Sequence, residues 1–378
     1  MNGGEALAAA LRMVAATVYA VPGYPVTDVA AAAGAVVCAN EKVALEYAIG
    51  DSLAGRRAAV IVKNVGMNLL ADPLVQATAQ GLIAGVVVVA GDDPLCCASQ
   101  AAEDSRHFGA LAVVPVVEPE PDVFAAVGEG FVLSERFSRV AILRVTPDTL
   151  DAPAPVVEPV LPARASGSLA PGFLTMRGRW EWALATMASA ASPDIPGVQV
   201  TLPAVRAPVG APERFADRGF FRSLCPHCPY RPLLALLAER GIRAACDAGC
   251  SLLAMNQPYG IGVASYGLGS AVAVGAKSTG VALIGDYALI HSGINALIDV
   301  YEKETPLLCI VLANRRMGMV GGHEVPDVLR YIGWADPVVC DAADDAALKR
   351  LIAPAGRPMT IVVRGICPDG ENHERVEC

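Results

Sequence analysis

Three features of the sequence predict an α/β fold built on two mostly parallel sheets, each with helices on both faces. Hydrophobic residues make up 54% of the 378-residue chain, and most are Ala and Val. That composition suits strands buried on both sides. Short apolar runs alternate with Ala-rich stretches of helical character twice, over residues 1 to about 150 and again from about Cys225 onward. Finally, the run Val281–Ile284 leads into Gly285-Asp286, and the run Leu308–Ala313 leads into Asn314, 28 residues after Asp286. A strand, a crossover helix and a neighbouring parallel strand need about that length.

In the first section, Ala59–Lys63, Gly85–Ala90, Ala112–Val117 and Val140–Val145 are expected strands, with helices over Gly4–Ala15 and Asp72–Gly81. The Pro, Ala and Ser-rich stretch Pro147–Pro171 reads as a linker. Beyond it a short helix is expected around Trp180–Ala191, so the predicted organisation is 1–150, a linking and shortened middle segment 151–215, and a second α/β domain 216–378.

A net charge of -9 argues against nucleic acid as a partner. The longest obvious apolar run, Gly81–Gly91, is interrupted by glycines and falls short of the roughly 18 residues of a membrane span. Glu5 and Arg12 make the start unlike a signal peptide. The expectation is a soluble, cytoplasmic protein with no membrane partner. Its eleven cysteines are an odd number, so they cannot all pair within the chain; in a reducing compartment they are buried thiols or metal ligands.

The chemistry starts at Asp286 and Asn314. Parallel neighbouring strands bring both to one carboxyl edge, where open α/β sheets bind ligands. Their oxygens are hard donors suited to Mg2+ carrying phosphate oxygens. The pattern resembles the thiamine diphosphate motif, G-D-G followed after 25 to 30 residues by N-N, although here Tyr287 stands for the second Gly and Ala313 for the first Asn. In the first section Glu41 opens a helical stretch after the run Ala35–Ala39, where its carboxylate can face a sheet edge as thiamine chemistry requires; Glu46 is the weaker candidate nearby. Cys225 and Cys228 form a C-x-x-C pair, Cys250 follows 22 residues after Cys228, and Cys246 and Cys367 are candidate fourth ligands. Three readings are open for them: a 4Fe-4S cluster, a proline-stiffened structural turn, or zinc. Cys38, Cys96, Cys97, Cys309 and Cys340 read as core thiols.

Segments spread over both sections carry a wider likeness: G-G-E-A at 3–6, N-E-K-V-A-L-E at 40–46, K-N-V-G-M-N-L-L-A-D-P-L at 63–74, D-D-P at 92–94 and S-Q-A-A-E-D-S-R-H at 99–107. They continue with C-P-H-C-P-Y-R at 225–231, D-A-G-C at 247–250, G-D-Y-A-L-I-H-S-G-I at 285–294 and G-G-H at 321–323. In these the chain resembles the alpha subunits of indolepyruvate ferredoxin oxidoreductases, within the thiamine diphosphate-dependent 2-oxoacid:ferredoxin oxidoreductases. The resemblance implies a pyrimidine-binding domain at 1–150 and a diphosphate-binding domain at 216–378, with the cofactor between one domain of each kind. It makes Glu41 the aminopyrimidine partner and gives Gly285, Asp286, Asn314 and the carbonyl of Arg316 to the cofactor and its Mg2+. Arg106 and His291 match polar positions that face substrate or the reacting cofactor, or serve structurally. The cysteines Cys225, Cys228, Cys250 and Cys367 match a cluster pattern of a related subunit. The implied activity is oxidative decarboxylation of a 2-oxoacid of the aryl pyruvate class, such as indolepyruvate. Electrons would pass to ferredoxin or another carrier protein and the acyl group to coenzyme A, in a homodimer or a heterotetramer with a smaller oxidoreductase subunit.

Against that pattern, only about 65 residues stand where a transketolase-C-like domain is usual, and no terminal ferredoxin-like module is seen. Tyr24 replaces a Thr and Asn64 a His. A non-oxidative 2-oxoacid decarboxylase and a non-catalytic subunit retaining the fold are therefore alternative expectations.

Overall fold

The computed structural model describes residues 1–155, 163, 165–219, 223–320 and 322–368. It divides into two compact units, Met1–Arg218 and Gly219–Cys378.

The strands of the first unit are β1 (Thr17–Ala20), β2 (Val36–Val37), β3 (Ala58–Lys63), β4 (Gly81–Leu82), β5 (Val86–Gly91), β6 (Val116–Pro119), β7 (Ala141–Val145), β8 (Ser168–Leu169) and β9 (Val198–Thr201). Seven of them form one sheet in the order β2-β1-β3-β5-β7-β6-β9, parallel throughout except that β9 runs antiparallel to β6. β4 and β8 pair separately. Helices Gly3–Val14 and Val123–Phe137 cover one face, closing over Val18, Ile61, Val87, Val89 and Leu143. The first of these starts in a capping box, with Asn2 and Glu5 satisfying each other's amides. Glu41–Leu53 packs against β1, β3 and the helix Met67–Gln80, and every residue from Lys42 to Ser52 is buried. A helix enclosed on all sides must pair its charges: Lys42 meets Glu46 and Asp72, and Asp51 meets Tyr19 and Arg56.

Several expectations are corrected here. Ala112–Val117 is not one strand: a helix His107–Ala112 ends at Val113, whose left-handed φ of 56° turns the chain into β6. The helix expected from Asp72 begins at Met67 and continues through Pro73, and the one around Trp180 is Met176–Ala188, capped by Thr175. The middle segment belongs to the first unit, because β9 extends the sheet and Arg139 anchors the Met176–Ala188 helix. That guanidinium is fully buried and donates to the carbonyls of Phe137, Val113 and Ala183 and to Thr186 Oγ1; burial pushes its pKa down to about 10. The linker stretch holds a helical turn, Pro147–Asp151, and β8; its residues 156–162 and 164, like Gly321 of the G-G-H segment, lie outside the described residues. Cys96 and Cys97 are exposed rather than buried in a core. The Asp93 carboxylate accepts the amides of Cys97, Ala98 and Ser99 and so holds them on a turn beyond β5.

The second unit is a five-stranded parallel sheet in the order β10-β11-β12-β14-β13, comprising β10 (Ala245–Cys246), β11 (Val281–Gly285), β12 (Leu307–Ala313), β13 (Val338–Asp341) and β14 (Pro358–Arg364). Leu283, Leu308, Ile310, Ile361 and Val363 pack with helix Arg231–Glu239 in its core. No helix among the described residues is long and apolar enough to cross a membrane.

Candidate functional site

β11 and β12 are aligned with Ile284 beside Val311 and Gly285 beside Leu312, so the chain leaves both strands at one edge. Asp286 is the first residue past β11 and Asn314 the first past β12. Asp286 is 2% exposed; its Oδ1 accepts the Tyr287 amide at 2.8 Å and its Oδ2 the Arg315 amide at 2.7 Å. To present that amide Arg315 takes a left-handed φ of 56°, which costs a residue with a side chain of order 1 kcal/mol. Burial outweighs these hydrogen bonds and pushes the carboxyl up to about 6. Asn314 accepts the Arg316 amide on Oδ1 at 3.0 Å and donates from Nδ2 to Cys367 Sγ at 3.1 Å.

These groups line a cavity of about 350 Å³, a size usual for small-ligand sites. Gly285, Arg316, Cys225, Cys228, Cys250 and Cys367 line it too. Cys228 closes a turn on Cys225, its amide donating to the Cys225 carbonyl at 3.0 Å. Arg231 pins that turn by donating to the carbonyls of Cys225 and Leu224. Cys250 follows Gly249, whose φ of 104° swings the chain back beneath the edge. Cys367 lies three residues past β14. Cys246, the other candidate fourth ligand, points into the core from β10 and is not part of the lining. Burial pushes the Cys228 thiol up to about 11 and Cys250 to about 12, and raises Cys367. Any metal must therefore displace protons to bind.

The donor set fits the groups the sequence implies. Asp286 is a buried carboxylate held by main-chain amides with only a weaker pull from the Arg315 side chain, and a Cβ added at Gly285 or Gly249 would meet nothing within 4 Å. Among the described residues no three His, Cys, Asp or Glu side chains converge, as they stand, on a point that could hold a single metal ion. The thiolates of a 4Fe-4S cluster bind separate irons and need no such convergence.

Other expected residues stand elsewhere. Glu41 is the first residue of the helix Glu41–Leu53 in the first unit, behind the cap Asn40. Its carboxylate rests against Gly66, where an added Cβ would come within 2.8 Å of Oε1. Arg106, also in the first unit, is held by Asp104 through three hydrogen bonds of 2.6 to 3.0 Å. His291 is exposed on a π-helical turn, beside Ser292, and does not line the cavity. Asn64 is buried, bonded to the Ala101 carbonyl and the Val65 amide. Sequence reasoning passed over Tyr230 and the apolar wall formed by Leu312, Met317 and Met319. The one available signal for Tyr230 was its place two residues after the C-x-x-C pair.

In class, this is the α/β architecture of thiamine diphosphate-dependent enzymes. Residues 247–338 match the family described as thiamine pyrophosphate enzyme, C-terminal TPP binding domain. The thiamine diphosphate-dependent 4-hydroxybenzoylformate decarboxylase of Rhodococcus jostii RHA1 aligns with a TM-score of 0.64 at 17% identity, covering 98% of this chain and 100% of that one. More particularly, the chain is similar to the indolepyruvate oxidoreductase subunit IorA of Archaeoglobus fulgidus, 46% identical over 110 residues, and to that of Pyrococcus abyssi, 38% identical over 138 residues. Those stretches are 28% and 34% of this chain and only 17% and 21% of the two relatives.

Proposed function

We propose that the chain is the thiamine diphosphate-binding component of a 2-oxoacid oxidoreductase of the aryl pyruvate class. It would release electrons one at a time to ferredoxin or a similar carrier, pass the acyl group to coenzyme A, and work with a smaller partner subunit. The observation that carries this reading is the meeting of Asp286, Asn314 and four cysteines on one cavity at the carboxyl edge of a parallel sheet. Thiamine diphosphate, when bound, supplies the carbanion chemistry by which a 2-oxoacid loses CO2. Asp286, Asn314 and the Arg316 carbonyl offer oxygens to Mg2+ and through it orient the diphosphate, while bare Gly285 leaves room for it. The second unit is thus the diphosphate-binding domain and the first the pyrimidine-binding domain, where Glu41 would hold a proton at N1' of the aminopyrimidine. The apolar wall excludes water. Cys225, Cys228, Cys250 and Cys367 would ligate a 4Fe-4S cluster.

The full-length fold likeness to a decarboxylase favours a second reading, in which no electrons leave. Anaerobic purification followed by assay of thiamine diphosphate, iron and acid-labile sulfide, with viologen reduction by phenylpyruvate and indolepyruvate, separates the two. About four irons per chain and 2-oxoacid-dependent viologen reduction are expected. Thiamine diphosphate with CO2 release but no iron would leave the decarboxylase, and absence of both cofactors would sink either reading.

A further inference from the structure

Tyr230 lines the cavity and has no part in the reading above. It follows the C-x-x-C pair by two residues and caps the helix Arg231–Glu239. It is 1% exposed, yet among the described residues its hydroxyl has no hydrogen-bond partner. The phenol tip lies against the end of β14: a Cβ added at Gly365 would lie 2.8 Å from Pro229 Cγ and 3.1 Å from Tyr230 Cζ. Tyr230 shares the lining of the cavity with Asp286, Cys225, Cys228, Cys250 and Cys367. A buried hydroxyl is costly to leave unpaired, and a protonated thiol is a poor acceptor. A thiolate or sulfide accepts a hydrogen bond well.

We propose that Tyr230 is a positioning residue that donates its phenolic proton in a hydrogen bond to a sulfur of the cluster held by the four cysteines, and so sets the cluster's reduction potential. This rests on the cluster reading above. A donor on sulfur stabilises the more negative, reduced cluster, and hydrogen bonds to the sulfurs are an established lever on such potentials. Asp286 already accepts an amide on each oxygen and is assigned to Mg2+ above, whereas the sulfurs are acceptors that cluster binding itself creates.

The test is Tyr230→Phe in the anaerobically purified full chain, read by a spectroscopic redox titration alongside iron, sulfide and thiamine diphosphate content. The expected result is unchanged content and a midpoint potential displaced to the negative side by a tenfold change in the oxidised to reduced ratio, about 59 mV for a one-electron couple. A Tyr230→His variant, which restores a donor, should recover part of the displacement. Coincident potentials with intact clusters overturn the role of Tyr230 while leaving the cluster reading standing. An unchanged potential with weakened thiamine diphosphate retention likewise overturns it, reassigning the hydroxyl to the diphosphate. No iron in the wild-type chain overturns both.

Discussion

The carboxyl edges of the two sheets are built from similar parts and treat their polar groups in opposite ways. At the first, Arg144 at the end of β7 reaches Asp92 and Glu118, each at 2.5 Å, and Asp92 also takes the hydroxyl of Ser105 at 2.5 Å. All of these groups are largely buried, and they satisfy one another. At the second, Asp286, the four thiols and Tyr230 surround a cavity instead. Asp286 accepts an amide on each oxygen, burial raises the thiols of Cys228, Cys250 and Cys367, and among the described residues the phenol has no hydrogen-bond partner. At one edge the polar groups satisfy one another; at the other they face a cavity.

The largest effect should come from removing the anchor of the open edge. Asp286→Ala is expected to reduce Mg2+-dependent thiamine diphosphate retention by about 100-fold or more, at or beyond the range seen when only a supporting hydrogen bond to a metal ligand is lost. Equilibrium dialysis checks this, and a variant that keeps the cofactor would erase the contrast between the edges. At the closed edge, Arg144→Ala leaves Asp92 and Glu118 as buried charges without a partner and should destabilise the first unit by about 3 to 5 kcal/mol, read as a lowered urea midpoint with cofactor retention by the second unit preserved.

Acid–base behaviour sharpens the comparison. The folded pKa of Asp286, about 6, lies above the ordinary 3.8. The protonated carboxyl is therefore favoured by folding: its contribution is full below about pH 4 and is lost as pH rises through 6, a change of about 3 kcal/mol. Apoprotein should thus lose stability in the second unit between pH 4 and 7, and Asp286→Asn should abolish that loss. Mg2+ should reverse it, with retention weakening again as pH falls below 6. Urea unfolding at pH 5 and 7.5, with and without Mg2+, checks the sign. The smallest effect is expected from Asn40→Ala, which removes the cap accepting the Val43 amide at 2.9 Å. It should cost the first unit about 1 kcal/mol, measurable by thermal unfolding.

Much of the open edge was legible because the signals there are local. Four apolar residues leading to Gly285-Asp286 and six before Asn314 announce strands; in the first unit, N-E after a short apolar run likewise announces the helix start at Glu41. What escaped depends on partners far along the chain. β9, V-Q-V-T, is four residues long and owes its strand state to pairing with β6. The middle segment looks like a linker in composition until Arg139, remote in sequence, is seen to hold it. Ala112–Val117 is uniformly apolar, and periodicity does not reveal that Val113 turns left-handed within it. Cys96 and Cys97 look like core thiols by residue type, but three amides bound to Asp93 hold them in solvent. Choosing Cys367 over Cys246 also depended on strand register, which places one at the edge and the other in the core.

The four cysteines of the cavity have a consequence for how the chain is made. Cys225 and Cys228 precede β10, whereas Cys367 follows β14, which pairs with β12 near the middle of the sheet. During synthesis the first pair leaves the ribosome some 140 residues ahead of the last cysteine. A prosthetic group that needs all four sulfurs can be inserted only once the final strand has found its place. Its retention would then act as a checkpoint on finished assembly, and prematurely terminated chains would leave the synthetic machinery empty.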